Sequence, residues 1–526
     1  MQKILQLRVD PATAASAELI KEVIREELAL LKKDELQFKV TRRSIDARGR
    51  QIKLNLSVEV FVNEPAKEEP IRFTYPFVGQ SSKTCHIIGA GPAGLFAALR
   101  SLELGIKPIL FERGKDVRTR RRDLAAINKS LIVNPESNYC FGEGGAGTYS
   151  DGKLYTRSNK RGDIEKILRI LVAHGASGEI LVDAHPHIGT NKLPQLIQNI
   201  RQTILDHGGE VHFNSKLIDF ETKQHKVTTI RIQHVDTILE YPVQQLILAT
   251  GHSARDIYEL LHAKKIQLEA KPFAIGVRAE HPQELIDKIQ YHCSTSTEVN
   301  AVRQFLPAAS YALVQQVKGR GVYSFCMCPG GIIAPCATAQ NEIVTNGWSP
   351  SKRNNPFANS GIVMGLELED FDAYKQFGPL AGLEFQKQIE HRAWEAGGKT
   401  QVAPAQRMMD FVNGKVSRSL PDCSYQPGLA SSDLQQVLGT KIGPALREGF
   451  KAFGAKMRGY LSNEAVLVGV ESRTSTPVRI PRDKESLQHP QLLNLYPCGE
   501  GAGYAGGIVS AAMDGERCAN SLTYQN

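Results

Sequence analysis

A glycine-rich turn between a short apolar strand and a helix is the segment of this sequence best suited to bind a ligand. The strand covers residues 85–88, and the motif Gly-Ala-Gly-Pro-Ala-Gly follows at residues 89–94. In a dinucleotide-binding turn, Gly89 permits the bend, Gly91 lets the backbone meet a pyrophosphate, and Gly94 lets helix and strand pack closely. The sequence therefore predicts a dinucleotide site here.

The residues around this turn indicate which dinucleotide it would hold. Pro92 and Ala93 open the helix, whose free N–H groups favour bound phosphate. Glu112 lies 23 residues after Gly89, close to the spacing expected of an acid that binds a ribose hydroxyl. Arg113 follows as a further contact. An acid at this position disfavours a 2′-phosphate and therefore NADP.

A second set of segments resembles flavoprotein motifs. A helix at residues 193–204, several short strands and an apolar strand at residues 246–248 lead into Thr250 and Gly251. This order resembles that of the glutathione-reductase-like and hydroxybenzoate-hydroxylase-like flavoproteins.

The C-terminal region carries another glycine turn, at residues 499–507, in front of a predicted helix. It resembles the second FAD motif of those families, in which an acid binds the ribitol chain; the acid here is Glu500, where Asp is commoner. The helix N-terminus would face the flavin and stabilise charge on its reduced form. Two such motifs, each in its required context, predict FAD. The residues assigned to this motif are Gly499, Glu500, Gly507 and Ile508.

The loop at residues 142–153 is dense in glycine and ends in polar residues. We expect it to run beside the FAD pyrophosphate and isoalloxazine; a plain structural turn is the alternative. A lysine at its end would favour the reduced flavin anion. The contacts predicted from this loop are Gly144, Gly145, Gly147, Ser150, Asp151 and Lys153.

His187 and Lys153 are the predicted catalytic residues. His185 and His187 would share one face of a strand, but no cysteine or acidic cluster accompanies them, so no metal is expected. His187 is assigned to proton transfer or substrate orientation; a hydrogen-bonded loop histidine is the alternative.

Cys326 and Cys328 show CxC spacing, which differs from the CxxC of redox pairs and zinc sites. On a regular strand both thiols would face the same side. We expect these two residues and Cys336 to be plain buried thiols. An arginine near the flavin, with Arg407, Arg473 and Arg479 as the candidates, is assigned either to a clamp for an anionic substrate or to surface or interdomain pairing.

The whole chain resembles a bacterial family of FAD-dependent dehydrogenases that carry a small N-terminal domain before the flavin fold. The resemblance implies fold and cofactor but brings no substrate. The segments that carry it, besides the C-terminal glycine turn, are SIDAR at 44–48, FGEGGAGTYSDGKL at 141–154, HPHIGT at 185–190, TGHSARD at 250–256 and FCMCPGG at 325–331.

These elements predict an α/β protein with a doubly wound, Rossmann-like FAD/NAD(P)-binding domain. Residues 1–80 would form a small N-terminal α/β domain. Residues 81–270 and 468–526 would form the FAD-binding domain, interrupted at 271–467 by an inserted α+β substrate domain. The expected enzyme is an FAD-dependent oxidoreductase, a dehydrogenase that transfers hydride between flavin N5 and a small-molecule substrate. NAD(P)H is considered as a transient electron donor.

The composition sets broader limits on partners and location. A net charge of +9 is only mildly basic, so nucleic acid is not expected as a partner. Nine cysteines indicate reduced thiols and a cytoplasmic location. No apolar run is long enough to predict a membrane span, and the oligomeric state is left open. An FAD monooxygenase and an RNA-associated, tRNA-modifying flavoprotein remain alternatives.

Overall fold

A computed structural model describes residues 1–66, 71–156 and 162–524 of this mixed α/β chain. An antiparallel sheet with strand order β1-β3-β2 opens it. Helix α2 starts where the Ser16 side chain accepts the Leu19 N–H, and it buries Ile20 and Ile24. A strand, two helices and a hairpin form this part of the chain. Their elements are β1 (Gln2–Val9), α1 (Pro11–Ala14), α2 (Ala17–Glu27), β2 (Leu36–Asp46) and β3 (Lys53–Val62).

The next part of the chain contains most of a parallel sheet and an antiparallel three-stranded meander. Two short 3₁₀ helices, Gly145–Gly147 and Gly178–Leu181, interrupt its loops. The elements are β4 (Thr84–Ile88), α3 (Pro92–Glu103), β5 (Lys107–Phe111), α4 (Val117–Ser130), α5 (Ile164–Ala173), α6 (Leu193–Asp206), β6 (Glu210–His212), β7 (Ser215–Lys223), β8 (Lys226–His234), β9 (Thr237–Pro242), β10 (Leu246–Leu248) and α7 (Arg255–Ala263).

The remainder forms a large antiparallel region and then returns to the parallel sheet. A 3₁₀ segment, Leu368–Leu380, precedes α10. The elements are β11 (Glu269–Ala270), β12 (Phe273–Pro282), α8 (Gln283–Gln290), α9 (Ser296–Arg303), β13 (Val314–Val317), β14 (Arg320–Cys328), β15 (Ile332–Pro335), β16 (Thr345–Trp348), β17 (Phe357–Leu366), α10 (Ala381–Ala396), β18 (Ala403–Arg407), α11 (Met408–Asn413), β19 (Leu429–Ser431), α12 (Leu434–Lys456), β20 (Val466–Glu471), β21 (Val478–Arg479), β22 (Leu495–Pro497) and α13 (Ile508–Asn520).

The parallel sheet has the order β22-β10-β4-β5-β6, so strands from both ends of the chain lie side by side. The meander β7-β8-β9 precedes β10, as the sequence predicts. Because the strands are parallel, the turns that follow β4, β5, β10 and β22 meet at one edge. Ligands of open α/β sheets bind at such an edge.

The seven-stranded sheet has the order β13-β14-β17-β12-β20-β18-β19. The domain boundary predicted at residue 467 falls inside β20, which pairs with both β12 and β18. Strand β20 continues to Glu471, so residue 467 lies within a paired strand and not in a loop between two domains. Buried side chains of this sheet and of the N-terminal sheet belong to one continuous cluster. Within the described ranges, no helix has the length and apolar composition that crossing a membrane requires.

Candidate functional site

A cavity of about 410 Å³ lies at the carboxyl edge of the parallel sheet. Its wall includes Gly89, Glu112 and Ala249, which directly follow β4, β5 and β10, and Glu500, which lies in the turn after β22. The seven-stranded sheet and its loops complete the wall. The two glycine turns, about 400 residues apart in sequence, therefore share one cavity.

The first glycine turn, residues 89–94, has the geometry of a tight phosphate-binding turn. Gly89 has φ +104°, and a Cβ there would lie 2.4 Å from the Ala249 carbonyl oxygen. A Cβ on Gly94 would lie 1.9 Å from the Gly89 carbonyl oxygen. Only glycine fits either position. No side chain caps α3 at Gly91, so first-turn N–H groups stay open to a ligand.

Glu112 ties the surrounding loops together. Its Oε2 accepts the Ala90 N–H at 2.9 Å, and its Oε1 accepts the N–H groups of Gly114 and Gly142, both at 2.9 Å. A carboxylate offers about four acceptor sites, so one remains for a ribose hydroxyl. Glu112 is thus both a scaffold of the turn and a candidate ligand.

The loop at residues 142–153 packs directly on the first glycine turn. The Gly144 N–H donates to the Ala90 carbonyl at 2.8 Å. Arg120 holds the loop from behind, because its guanidinium donates to the carbonyls of Asn138, Glu143 and Gly145 at 2.8–3.0 Å. Its side chain is fully buried. Arg120 reaches this position because it lies in the first turn of helix α4.

The C-terminal glycine turn, residues 499–507, joins the cavity through Glu500, Gly507 and Ile508. It is held by the Tyr258 hydroxyl, which donates to the Gly501 carbonyl at 2.6 Å. Helix α13 begins after Gly507 without a side-chain cap. Its first-turn N–H groups are therefore available to a ligand.

Glu500 stands out because no residue of the described ranges donates a hydrogen bond to its carboxylate. Burial raises its pKa to about 7, and the positive charge of Lys271 only partly opposes this rise. An acceptor that lines a cavity and has no protein donor takes its hydrogen bonds from water or from a ligand. Hydroxyl groups of a ribityl chain are donors of the required kind.

Lys153 and Asp151 lie at the same cavity. Burial alone would raise the pKa of Asp151, but the charges of Lys153 and Arg353 outweigh it and lower the pKa. Asp151 Oδ2 lies 3.0 Å from the Arg353 guanidinium and 3.7 Å from Lys153 Nζ. The Lys153 ammonium also donates to the Met327 carbonyl.

Cys326, Cys328 and Cys336 differ from the expectation of three buried thiols. Cys328 and Cys336 are buried, but Cys326 is exposed and lines the cavity. The expectation fails for Cys326 because the β14–β17 register shifts between Phe325 and Cys328. Such a bulge redirects a side chain that a regular strand would hide.

His187 does not line this cavity. Its Nε2 lies 3.1 Å from the Ser351 carbonyl oxygen, and burial lowers its pKa. Its backbone forms an isolated β-bridge with Lys153, so it supports the segment that carries the lysine. Arg473 reaches the cavity, but its guanidinium is taken by Glu342 at 2.5 Å and Glu390 at 3.0 Å.

Most residues predicted from the sequence come together at the cavity. Gly94, Gly144, Gly499 and His187 do not line it; the three glycines lie within the turns that form its wall. The predicted residues that do line it are Gly89, Gly91, Pro92, Ala93, Glu112, Arg113, Gly145, Gly147, Ser150, Asp151, Lys153, Thr250, Gly251, Glu500, Gly507 and Ile508.

Several lining residues carry no signal in the sequence. Asp256 and Phe141 line the cavity, where Asp256 pairs with Arg113 at 2.8 Å and the Phe141 ring lies 4.3 Å from the Arg113 guanidinium. Tyr139 and Tyr149 also face the cavity. Their neighbours come from distant loops, so no local spacing reveals them.

Comparisons with known proteins agree with this geometry. Residues 272–474 match the family model "FAD-dependent protein, C-terminal domain-like", and residues 1–61 match a domain of unknown function, DUF8436. The site and the first of these matches define an FAD-dependent protein, and its cofactor is FAD.

A full-length relative gives the family. An "Uncharacterized protein" of Clostridium beijerinckii is 40% identical over 523 residues, which cover 96% of this chain and 95% of that protein. The chain belongs to the same family as this Clostridium beijerinckii protein.

Three solved structures resemble the chain more distantly. The flavin-dependent brominase Bmp2 has a TM-score of 0.35 at 13% identity, over 83% of this chain and 77% of that chain. A geranylgeranyl bacteriochlorophyll reductase-like protein of Thermoplasma acidophilum has a TM-score of 0.33 at 11% identity, over 83% and 77%. CtdE in complex with FAD has a TM-score of 0.32 at 11% identity, over 82% of each chain. The scores are low, and the site assignment does not depend on them.

Proposed function

We propose that this protein is an FAD-dependent oxidoreductase, a dehydrogenase that acts on a small molecule at the cavity. The parallel sheet would serve as a doubly wound, Rossmann-like dinucleotide-binding domain. The seven-stranded sheet would cover the reactive end. Bound FAD would supply two-electron hydride chemistry at N5.

The residues of the two glycine turns would hold opposite ends of the cofactor. First-turn N–H groups of α3 would bind the pyrophosphate, and Glu112 would accept a ribose hydroxyl in its remaining acceptor position. Glu500 would accept a ribityl hydroxyl. The N-terminus of α13 would stabilise negative charge near the flavin ring.

Lys153 would act at the reactive end. Its ammonium is held by the Met327 carbonyl and lies 3.7 Å from Asp151 Oδ2, so its position is fixed by the protein. A fixed positive charge in a buried cavity stabilises an anion beside it. His187 remains a predicted proton-transfer residue, acting only if a ligand extends beyond the described cavity.

A single observation carries this proposal: the Glu500 carboxylate, which has no donor among the residues that the structure describes, and the uncapped α3 N-terminus face one cavity. A dinucleotide offers both missing partners. Its hydroxyl groups can donate to the Glu500 carboxylate, and its pyrophosphate can accept from the N–H groups of α3.

The test is anaerobic reduction of the purified yellow protein. NADH, NADPH and a panel of metabolites are added separately while the flavin absorbance is followed. Bleaching by a metabolite supports a dehydrogenase, and bleaching by NAD(P)H followed by oxygen-dependent turnover of substrate supports a monooxygenase instead. A protein that takes up no FAD contradicts the proposal.

A further inference from the structure

Cys326 lies in the part of the cavity wall that β14 contributes, and Cys328 follows two residues later in the same strand. Cys326 has φ +46° at the bulge and is exposed to the cavity, while Cys328 is buried behind it. The Cys328 thiol lies 3.2 Å from the Cys326 carbonyl oxygen. One thiol is thus exposed at the cavity, and a second is buried two residues further along β14, next to the backbone of the first.

Two positively charged side chains lie close to these two sulfurs. Lys153 Nζ lies 3.9 Å from Cys326 Sγ and 3.8 Å from Cys328 Sγ. The fully buried Arg278 guanidinium lies 3.4 Å from Cys328 Sγ and donates to the Cys326 carbonyl at 2.8 Å. This environment is typical of reactive cysteines and differs from that of structural ones.

The two thiols titrate differently. The pKa of Cys326 lies well below its usual value because the Cys328 thiol donates to its sulfur and because Lys153 and Arg278 are positive; burial and the Asp151 carboxylate oppose this. Burial and the Cys326 sulfur raise the pKa of Cys328. The negative charge of the Cys326 thiolate also contributes to the raised pKa values of Glu471 and Glu500.

We propose that Cys326 and Cys328 form a dithiol centre that reduces low-molecular-weight disulfides. Cys326 is the attacking thiolate, because it faces the cavity. Cys328 is the resolving thiol, because it is shielded and lies next to Cys326. The inference rests on the proposed function, since the flavin supplies the electrons that restore the dithiol.

The chemistry balances in two exchange steps. The Cys326 thiolate attacks one sulfur of the disulfide RSSR, which breaks the S–S bond, forms a mixed disulfide and releases RS⁻. Cys328 loses its proton and attacks Cys326 Sγ, which closes the Cys326–Cys328 disulfide and releases the second RS⁻. The thiols of the protein are oxidised by two electrons, and RSSR is reduced to two thiols. Reduced flavin would supply two electrons, which together with two protons would convert the Cys326–Cys328 disulfide back to two thiols.

The test treats the full-length, FAD-loaded protein, with its thiols reduced beforehand, with bis(2-hydroxyethyl) disulfide without oxygen. Peptide mass spectrometry then locates the modified sulfurs. We expect a Cys326–Cys328 disulfide in the wild type, a trapped mixed disulfide on Cys326 in Cys328→Ser, and neither product at this site in Cys326→Ser. Cys293→Ser is the matched control: its thiol does not line the cavity and its pKa is raised by burial, so the variant should behave as wild type.

A second measurement isolates the role of Lys153. Iodoacetamide alkylation of Cys326 is followed against pH in the wild type and in Lys153→Met. The wild-type profile should reach its midpoint below the ordinary thiol pKa of about 8.5. Loss of the ammonium should move the midpoint up by about one unit, and alkylation should slow by up to roughly tenfold at pH values below the wild-type midpoint.

The results separate this inference from the proposed function. A Cys328→Ser protein that binds FAD and is reduced normally, yet traps no adduct on Cys326, overturns the dithiol centre and leaves the proposed function intact. A wild-type alkylation midpoint at or above the ordinary thiol value also overturns it. Disulfide formation in a protein that cannot take up FAD would instead remove the proposed function.

Discussion

The two ends of the cavity differ in how fully the chain satisfies its own polar groups. At the first glycine turn, Glu112 accepts three backbone N–H groups, and Arg113 pairs with Glu136 at 2.6 Å and Asp256 at 2.8 Å. At the other end, the Glu500 carboxylate has no donor within the described ranges, and Cys326 faces the cavity. At the first end the protein supplies the hydrogen-bond and ion-pair partners itself, whereas the second end leaves Glu500 and Cys326 available to a ligand.

This difference has an energetic reason. A satisfied carboxylate stabilises the turn that it crosslinks, whereas a carboxylate that is partly removed from water and has no protein donor costs free energy until a ligand pairs with it. Substitutions at the two ends should therefore have opposite effects on the stability of the FAD-free protein.

The largest effect is expected where the first end is tightest. In Gly94→Ala, the new Cβ would lie 1.9 Å from the Gly89 carbonyl oxygen. The turn must open, which should destabilise the fold by about 3 kcal/mol or more and abolish FAD retention. Urea unfolding and the flavin absorbance after gel filtration measure both effects.

Gly178→Ala is the control for that substitution, because nothing lies within 4 Å of a Cβ at this position. It should unfold and retain FAD as the wild type does. Equal behaviour of the two variants would mean that the contact between α3 and the turn is not needed.

Glu500→Gln should stabilise the FAD-free protein in a pH-dependent way. The pKa of Glu500 is about 7 in the folded chain, against 4.5 as its ordinary value. Because the folded pKa is raised, the wild type loses stability as pH rises from about 4.5 to 7. Above pH 7 the loss is complete, at most about 3 kcal/mol.

The measurement is the difference in unfolding free energy between Glu500→Gln and wild type at several pH values. It should grow from near zero at pH 4.5 to its full size above pH 7, and it should shrink when FAD is bound. A difference that does not change with pH would show that Glu500 already has a partner.

Glu112→Gln should have the opposite sign. An amide cannot accept on both of its heavy atoms, so at least one of the three N–H groups loses its acceptor. We expect a loss of about 2 kcal/mol in unfolding free energy and faster release of FAD. A variant as stable as the wild type would remove the contrast between the two ends.

The smallest effect is expected at His187, outside the cavity. His187→Asn loses the contact with the Ser351 carbonyl, which is 3.1 Å long, at a cost of about 1 kcal/mol. Flavin reduction should stay within about twofold of wild type. A hundredfold slower reduction would restore His187 as a proton-transfer residue.

Most of the nucleotide end could be predicted because its signals are local. Gly89 and Gly94 are required by the backbone of one turn, and Glu112 follows at the end of the next strand. The thiol end could not be predicted in the same way. A strict alternation of side chains along β14 would place Cys326 and Cys328 on one face, but the pairing with β17 introduces a bulge.

The sequence by itself determined the two glycine turns and their acids, because each depends on backbone conformation within a few residues. The tertiary structure alone decided which polar groups are satisfied. It buried Arg120 behind the 142–153 loop, turned His187 away from the cavity and brought Lys153 to the two thiols. The partners of these groups lie on distant segments, so only the packing of the sheets could select them.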